Sequence, residues 1–153
     1  MNGGMRRLLL IEDSAGDLEL VRRSLRSGLQ NIDLSVAHDG EEAIAALRDT
    51  ASPPDLILLD LNLPDMHGRE ILRYVRSHAA LLSTPVIVMT TSDSEREVHE
   101  CYRMGCNGYL IKPASFMDFA QLLLETCHYW LDVVRLPAAR TAPRVPFSLP
   151  AES

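Results

Sequence analysis

The residues of this chain that could carry out chemistry each follow a short apolar run. Glu12 and Asp13 come after the first run, Asp60 after a later one, and Thr90 and Lys112 after the last two. Carboxylates, a hydroxyl and an ammonium group can together bind a divalent cation and stabilise charge on a phosphoryl group. Asp60 considered alone is compatible with a nucleophile, a metal ligand or a residue that only ends a strand. The elements that position these five residues must therefore bring them together before they indicate a site.

Three apolar runs, residues 8–11, 56–59 and 86–89, are predicted to be strands buried on both faces of a parallel sheet. Residues 32–36 and 109–111 add two further strands. The helices between them are predicted to start at capping residues, namely Ser14, Asp39, Ser92 or Ser94, and Ser115. Five strands alternating with five helices imply an α/β fold with right-handed crossovers on both faces of the sheet. The carboxyl ends of such strands share one edge, so the polar residues are expected to converge there.

This convergence predicts an aspartyl-phosphate site. Three carboxylates packed together repel one another unless a cation joins them, and all-oxygen ligands suit Mg²⁺. With Mg²⁺ held by Glu12 and Asp13, Asp60 can offer one oxygen to the metal and the other to phosphorus as nucleophile. Lys112 and Thr90 can pair with the phosphoryl oxygens. Each residue also has a structural alternative: acids at a helix N-terminus, a strand terminator at Asp60, a cap at Thr90 and a surface charge at Lys112.

Composition restricts the class of protein further. The chain has 153 residues and a net charge of -6, which argues against binding to a nucleic-acid backbone. Cys101, Cys106 and Cys127 lack disulfide or zinc spacing and are expected to be free thiols in a cytoplasmic protein. No apolar run approaches the ~20 residues of a membrane span. The expected organisation is one domain over residues 6–135 and an extended tail over 136–153, where four prolines occur.

The motifs together resemble the receiver domain of bacterial two-component response regulators, over residues of about 6–132. The matching segments are the acid pair at positions 12 and 13, LLDLNLPDMHG around Asp60, VMTTS at Thr90, and YLIKP from Tyr109. The resemblance implies a flavodoxin-like fold, with a doubly wound five-stranded parallel sheet in strand order 2-1-3-4-5. It also implies a signalling protein and not an enzyme, with chemistry limited to Mg²⁺-dependent phosphorylation and dephosphorylation of itself.

The same resemblance assigns roles to single residues. Asp60 would accept a phosphoryl group from the phosphohistidine of a sensor histidine kinase, and Asn62 would give its backbone carbonyl to Mg²⁺. Thr90 and Tyr109 would form the switch, and the bond before Pro113 would be cis. The chain departs from many family members in having glutamate before Asp13 and threonine at position 91, where alanine is common. The threonine leaves the rate of dephosphorylation open.

A narrower similarity points to stand-alone regulators that are paired with bacterial phytochromes, which are red-light-sensing histidine kinases. The segments that carry it are IEDSAGDL, MTTSDS, and YWL at residues 129–131 followed by Leu136 and Pro137. It implies a phytochrome-type kinase as partner.

The last helix has a narrow polar stripe and an apolar arc wider than one sheet face can bury, which predicts a partner. By the same resemblance this partner is a second copy, bound through the fourth helix, the fifth strand and an extended fifth helix. The predicted interface residues are Phe119, Leu123, Cys127, Trp130, Leu131 and Val134. The alternative is a helix that folds back on its own domain.

Two other functions share this architecture. An aspartate-nucleophile phosphohydrolase typically needs a second acid two residues after the nucleophile, where this chain has Asn62. A flavodoxin-like flavin binder needs a phosphate-cradling loop after the first strand, and the acids at positions 12 and 13 would repel that phosphate. His67 lies near Asp60 in sequence, but no role is assigned to it or to the other histidines.

Overall fold

The chain alternates five strands with five helices in a computed structural model that describes residues 4–49 and 51–137. The strands are β1 Arg6–Ile11, β2 Ile32–Ala37, β3 Leu56–Leu59, β4 Val86–Thr90 and β5 Gly108–Ile111. The helices are α1 Ala15–Gly28, α2 Gly40–Arg48, α3 Gly68–Arg76, α4 Glu95–Arg103 and α5 Phe116–His128. A short 3₁₀ helix at Ala79–Leu81 precedes β4, and a π-helical turn at Tyr129–Val133 continues α5.

All five strands are parallel and lie in the order β2-β1-β3-β4-β5, as predicted. Alternate residues of β1 enter two apolar cores on opposite faces: Leu9 and Ile11 lie with α2, α3 and α4, whereas Leu8 and Leu10 lie with α1 and α5. Because both faces are covered, β1, β3 and β4 need apolar side chains at nearly every position. This explains the continuous apolar runs in the sequence.

The predicted caps start four of the helices. The side chains of Ser14, Asp39, Ser94 and Ser115 each accept a hydrogen bond from the backbone amide three residues later. Of the two serines proposed for α4, the structure selects Ser94. The cap of α3 is His67, whose ring Nδ1 accepts from the Arg69 amide, and the sequence analysis did not predict it.

The end of α5 corrects the predicted dimer interface. Four of its six residues are buried in the core of the chain itself and so do not form a free surface: Phe119, Leu123, Cys127 and Leu131. Trp130 and Val134 are half-buried, and Trp130 packs against the same core as Leu136. The chain thus covers much of the apolar arc itself, as the folded-back alternative anticipated.

For Leu131 the π-helical turn gives the physical reason. The Val134 amide donates to the Tyr129 carbonyl at 2.8 Å, five residues back, so the turn is wider than the α-helical period assumed from the sequence. Arg6 holds the turn against the start of β1, because its guanidinium donates to the Leu131 carbonyl at 2.7 Å and pairs with Asp132. Leu131 thereby faces the core.

Three other expectations concern the backbone and the tail. No cis peptide bond occurs within residues 4–49 and 51–137, so the bond before Pro113 is trans, against the expectation from the family. A residue-proline bond favours trans by only about 0.5–1 kcal/mol, and the motif does not fix the isomer. None of the helices in these ranges is both long and apolar enough to cross a membrane. The predicted tail, apart from its first two residues, lies outside the described residues.

Replacing Leu123 with alanine tests whether this helix face belongs to the core. Leu123 is 0% exposed, so the substitution leaves a cavity and should lower the free energy of unfolding by about 3 kcal/mol at every protein concentration. Denaturant titration at two concentrations measures this. The control is Val133→Ala, which removes an exposed apolar side chain and should change stability by less than about 0.5 kcal/mol. A loss of stability that appears only at high protein concentration and vanishes on dilution would instead assign Leu123 to an interface between copies.

Candidate functional site

The parallel register brings the predicted site residues to one edge of the sheet. Glu12 follows β1, Asp60 follows β3 and Lys112 follows β5, and a backbone hydrogen bond ties each of them to a neighbouring strand. The Glu12 amide donates to Ala37 at 2.9 Å, the Asp60 amide to Ile11 at 3.0 Å, and the Lys112 amide to Thr90 at 2.7 Å. The sequence prediction that these residues converge is therefore correct.

Glu12, Asp13 and Asp60 form a cluster in which one carboxylate oxygen from each lies within 4.8 Å of the others. Glu12 is 3% exposed and Asp60 7%, whereas Asp13 is exposed. Beside Asp13 lies an open cleft of about 470 Å³, lined also by Asn62 and His67, that connects the cluster to solvent. Three oxygen donors at this spacing fit a hard divalent cation, which prefers carboxylate ligands and retains water. The residues present therefore suit the predicted metal.

Lys112 carries the positive charge of the site and is the only lysine of the chain. Its Nζ atom lies 2.5 Å from Glu12 Oε1, 2.9 Å from Asp17 Oδ2 and 3.2 Å from Asp60 Oδ2. Burial alone would lower the pKa of Lys112, but hydrogen bonds and attraction from these carboxylates outweigh it and raise the pKa. The Lys112 side chain is therefore a permanently charged ammonium group.

The pKa of Glu12 reflects its burial and the close packing of carboxylates in the site. Burial raises the pKa of the Glu12 carboxyl to about 7, and the charge of Asp60 adds to the rise, while the hydrogen bond from Lys112 opposes it. One ammonium group does not balance four neighbouring carboxylates, Glu12, Asp13, Asp17 and Asp60. The electrostatics thus favour either a bound proton or a bound cation at Glu12.

Asn62 connects Asp60 to Thr90. The Asn62 amide donates to Asp60 Oδ1 at 3.1 Å, and its side-chain amide donates to Thr90 Oγ1 at 3.4 Å. Thr90 is completely buried, and its hydroxyl oxygen also accepts from the Ser92 amide at 3.4 Å. The Tyr109 hydroxyl, in turn, donates to the Ser92 carbonyl at 2.9 Å. A chain of hydrogen bonds therefore runs from Asp60 to the loop between β4 and α4.

A hydrogen bond and an ion pair that the sequence analysis did not predict join the start of α3 to α4. His67 Nε2 lies 3.0 Å from Glu97 Oε2, and because Nδ1 accepts from the Arg69 amide, Nε2 carries the proton. Arg69 pairs with Glu100, one turn further along α4. The sequence shows that Glu97 and Glu100 share a helix face, but it does not show which loop they face.

Asp17 lies three residues after the predicted cap Ser14, and the sequence analysis gave it no place in the site. In the structure its amide donates to Ser14 Oγ at 3.3 Å, and its carboxylate forms an ion pair with Lys112. The capping pattern places Asp17 on the first turn of the helix after β1, close to the sheet edge. This position near the sheet edge is the sequence feature that could have indicated a role for Asp17 in the site.

The fold agrees with comparisons to known proteins. A model of the response regulator receiver domain matches residues 8–124. The chain belongs to this family. Response regulator Rcp1 of Synechocystis sp. is 37% identical over 137 residues, which cover 86% of this chain and 93% of Rcp1. The receiver is also similar to two solved structures of response regulators.

The first is the phosphorylated cyanobacterial phytochrome response regulator RcpA, with a TM-score of 0.84 and 34% identity, covering 88% of this chain and all of RcpA. The second is the Mn²⁺-bound form of Rcp1, with a TM-score of 0.82 and 36% identity, covering 87% of this chain and 99% of Rcp1. The flavodoxin-like fold and the membership of the receiver family are thereby confirmed. This chain covers nearly the whole length of each of these relatives.

The raised pKa of Glu12 predicts how the metal-free receiver responds to pH. Because folded Glu12 binds its proton more tightly than unfolded Glu12, its contribution to stability is complete below about pH 4.5 and is lost as the pH rises through about 7. Relative to Glu12→Gln, the wild type should therefore lose stability across this window in metal-free buffer. Denaturant titration of both proteins measures it. A difference between them that stays constant with pH would contradict the raised pKa.

Proposed function

We propose that this receiver accepts a phosphoryl group on Asp60 from the phosphohistidine of a sensor histidine kinase. The observation that carries the proposal is the position of the Asp60 carboxylate, within 4.8 Å of oxygens of Glu12 and Asp13 and 3.2 Å from the Lys112 ammonium. An oxygen of Asp60 attacks phosphorus, the bond from phosphorus to the imidazole nitrogen breaks, and its electron pair returns to the imidazole. The product is an aspartyl phosphate.

Mg²⁺, held by the carboxylates of Glu12, Asp13 and Asp60 and by the backbone carbonyl of Asn62, would supply positive charge for the phosphoryl oxygens. The protein supplies the rest. Lys112 Nζ is 3.2 Å from Asp60 Oδ2 and can move its contact to a phosphoryl oxygen when negative charge develops there. The buried carboxylates have little water to reorganise, which strengthens each of these interactions.

The signal would leave the site through Thr90 and Tyr109. A phosphoryl oxygen on Asp60 offers the Thr90 hydroxyl a charged acceptor, whereas in its contacts with Asn62 and Ser92, both at 3.4 Å, the hydroxyl oxygen itself accepts. Movement of Thr90 would change the β4-α4 loop, where Tyr109 already holds the Ser92 carbonyl. The face formed by α4, β5 and α5 would then change its affinity for partners.

The alternative of a phosphohydrolase has less support. The position two residues after Asp60 is Asn62, whose side chain donates to Thr90 and has no proton to give to a leaving group at neutral pH. Membership of the receiver family points the same way. The net charge of -6 supports a partner other than nucleic acid. We therefore propose a cytoplasmic signalling protein whose partners are proteins.

Replacing Asp60 with asparagine tests the phosphoacceptor. Asparagine retains the size and hydrogen-bonding capacity of the side chain but has no carboxylate oxygen to attack phosphorus. We expect phosphorylation by acetyl phosphate, and by an autophosphorylated histidine kinase, to fall to background, whereas Asp33→Asn on the exposed side of β2 leaves it unchanged. Incorporation of labelled phosphate that base or hydroxylamine removes, as expected of an acyl phosphate, measures this, with EDTA as the metal-free comparison. Equal labelling of Asp60→Asn and the wild type would overturn the assignment.

The pairing with a phytochrome-type kinase is supported by the relatives. Rcp1 and RcpA resemble this chain over nearly their whole length, and the RcpA structure is that of a phytochrome response regulator. A receiver that docks on a similar kinase needs a similar surface, which an identity of 34–37% over most of the chain favours.

The proposed homodimer uses the face of α4, β5 and α5, but with different residues from those first expected. The exposed large apolar side chains on these elements are Tyr102, Ile111, Phe116 and Met117. They extend from α4 across β5 to the first turn of α5, whereas most of the residues first proposed are buried. An apolar surface that crosses three adjacent elements can bind the same surface of a second copy.

Met117 provides the test, since it is 83% exposed and glutamate there suits a helix N-terminus. We expect light scattering to show a dimer for the wild type with Mg²⁺ and beryllofluoride, and a monomer for Met117→Glu. Leu82→Glu, which changes another exposed apolar residue near the opposite end of the sheet, should leave the dimer intact. A wild type that stays monomeric at micromolar concentrations with the phosphoryl mimic would refute the dimer.

A further inference from the structure

We infer that Asp17 is a positioning residue, which holds the Lys112 ammonium in the site when the other carboxylates are engaged by the metal and the phosphoryl group. The inference rests on the proposed function. Lys112 has three N–H donors and three carboxylate partners, of which Asp17 is at 2.9 Å. Asp17 is therefore a full member of the arrangement around the single lysine of the chain, although no step of the proposed chemistry yet uses it.

Asp17 differs from the other two partners of Lys112 in its relation to the metal cluster. The oxygens that lie within 4.8 Å of one another belong to Glu12, Asp13 and Asp60, and Asp17 is outside that set. A cation bound by the cluster would withdraw electron density from Glu12 and Asp60, which weakens both as acceptors for Lys112. Asp17 is then the one partner of the lysine whose charge stays available.

The local structure fixes Asp17 in place for this role. Its amide donates to Ser14 Oγ on the first turn of α1, so its backbone is held by the cap. Its side chain is 21% exposed, so the ion pair with Lys112 is only partly screened by water. A rigid carboxylate beside a buried ammonium group limits the orientations of the lysine before phosphoryl transfer begins.

Without Asp17, Lys112 would keep only Glu12 and Asp60 as partners. It would then pair directly with two residues that the cation needs, and the lysine and the cation would compete for the same oxygens. Loss of the Asp17 charge also reduces the attraction of the site for a cation. Both effects act in the same direction, toward weaker metal binding and a less ordered ammonium group.

The first experiment uses no phosphorylation. Mg²⁺ affinity is measured by calorimetry for the wild type, Asp17→Asn and the control Glu19→Gln, which removes the same charge from an exposed position on α1 two residues away. We expect Asp17→Asn to weaken Mg²⁺ binding about fivefold, and Glu19→Gln to change it by less than about twofold. Asp17→Glu, which keeps the carboxylate, should restore most of the affinity.

The lysine itself gives a second readout. Protein labelled with ¹⁵N-lysine has a single side-chain ammonium resonance, because Lys112 is the only lysine. We expect this resonance to be observable in the wild type and in Glu19→Gln, where the ammonium exchanges its protons slowly, and to be broadened beyond detection in Asp17→Asn. At saturating Mg²⁺, the rate of phosphorylation by acetyl phosphate should fall about tenfold in Asp17→Asn and should not fall in Glu19→Gln.

The outcomes separate the inference from the proposed function. If the wild type is not phosphorylated on Asp60, the proposed function fails, while Mg²⁺ affinity and the lysine resonance still test Asp17. If Asp17→Asn and Glu19→Gln bind Mg²⁺ equally well, the inference is overturned whatever the lysine signal shows. Thermal melting confirms that each variant is folded, and Asp17→Ala, which also removes the carboxylate, provides the test if Asp17→Asn does not fold.

Discussion

The structure depends on the crowding of four carboxylates around one ammonium group at the edge of a parallel sheet. Glu12, Asp13, Asp17 and Asp60 outnumber Lys112, and the carboxyl of Glu12 responds with a pKa raised to about 7. Repulsion at this edge is relieved only by a proton, a cation or a change in charge on Asp60. A site held in this condition responds strongly to the addition of a phosphoryl group, which is the property that a switch needs.

The loop after Asp60 connects this charge to the surface. On one side Asp65 accepts hydrogen bonds from the Gly40 and Glu41 amides, at 2.8 and 2.9 Å, at the start of α2. On the other side His67 pairs with Glu97 on α4. A change of charge at Asp60 thus acts on a loop that is tied to two helices. Because α4 belongs to the proposed interaction face, the second connection is the more direct route to a partner.

The end of α5 shows how an amphipathic pattern can be misinterpreted. A wide apolar arc indicates that something covers it, but the pattern contains no information about whether the cover is the same chain or another. Here the π-helical turn, held by Arg6 at the Leu131 carbonyl and at Asp132, directs Leu131 into the core. The most exposed apolar side chains lie instead at the start of α5, at Phe116 and Met117, while Tyr129 and Val133 are exposed in the turn itself.

The sequence by itself determined the order and type of the elements, the caps at Ser14 and Ser115, and the convergence of Glu12, Asp60 and Lys112. It could do so because these features depend on local periodicity and on the geometry of parallel strands, whose carboxyl ends share one edge. Only the tertiary structure decided that Asp17 faces Lys112, that His67 meets Glu97, and that α5 ends in a π-helical turn. Those contacts join residues far apart in the chain or depend on a local change of helical period, and neither is specified by a hydrophobic pattern.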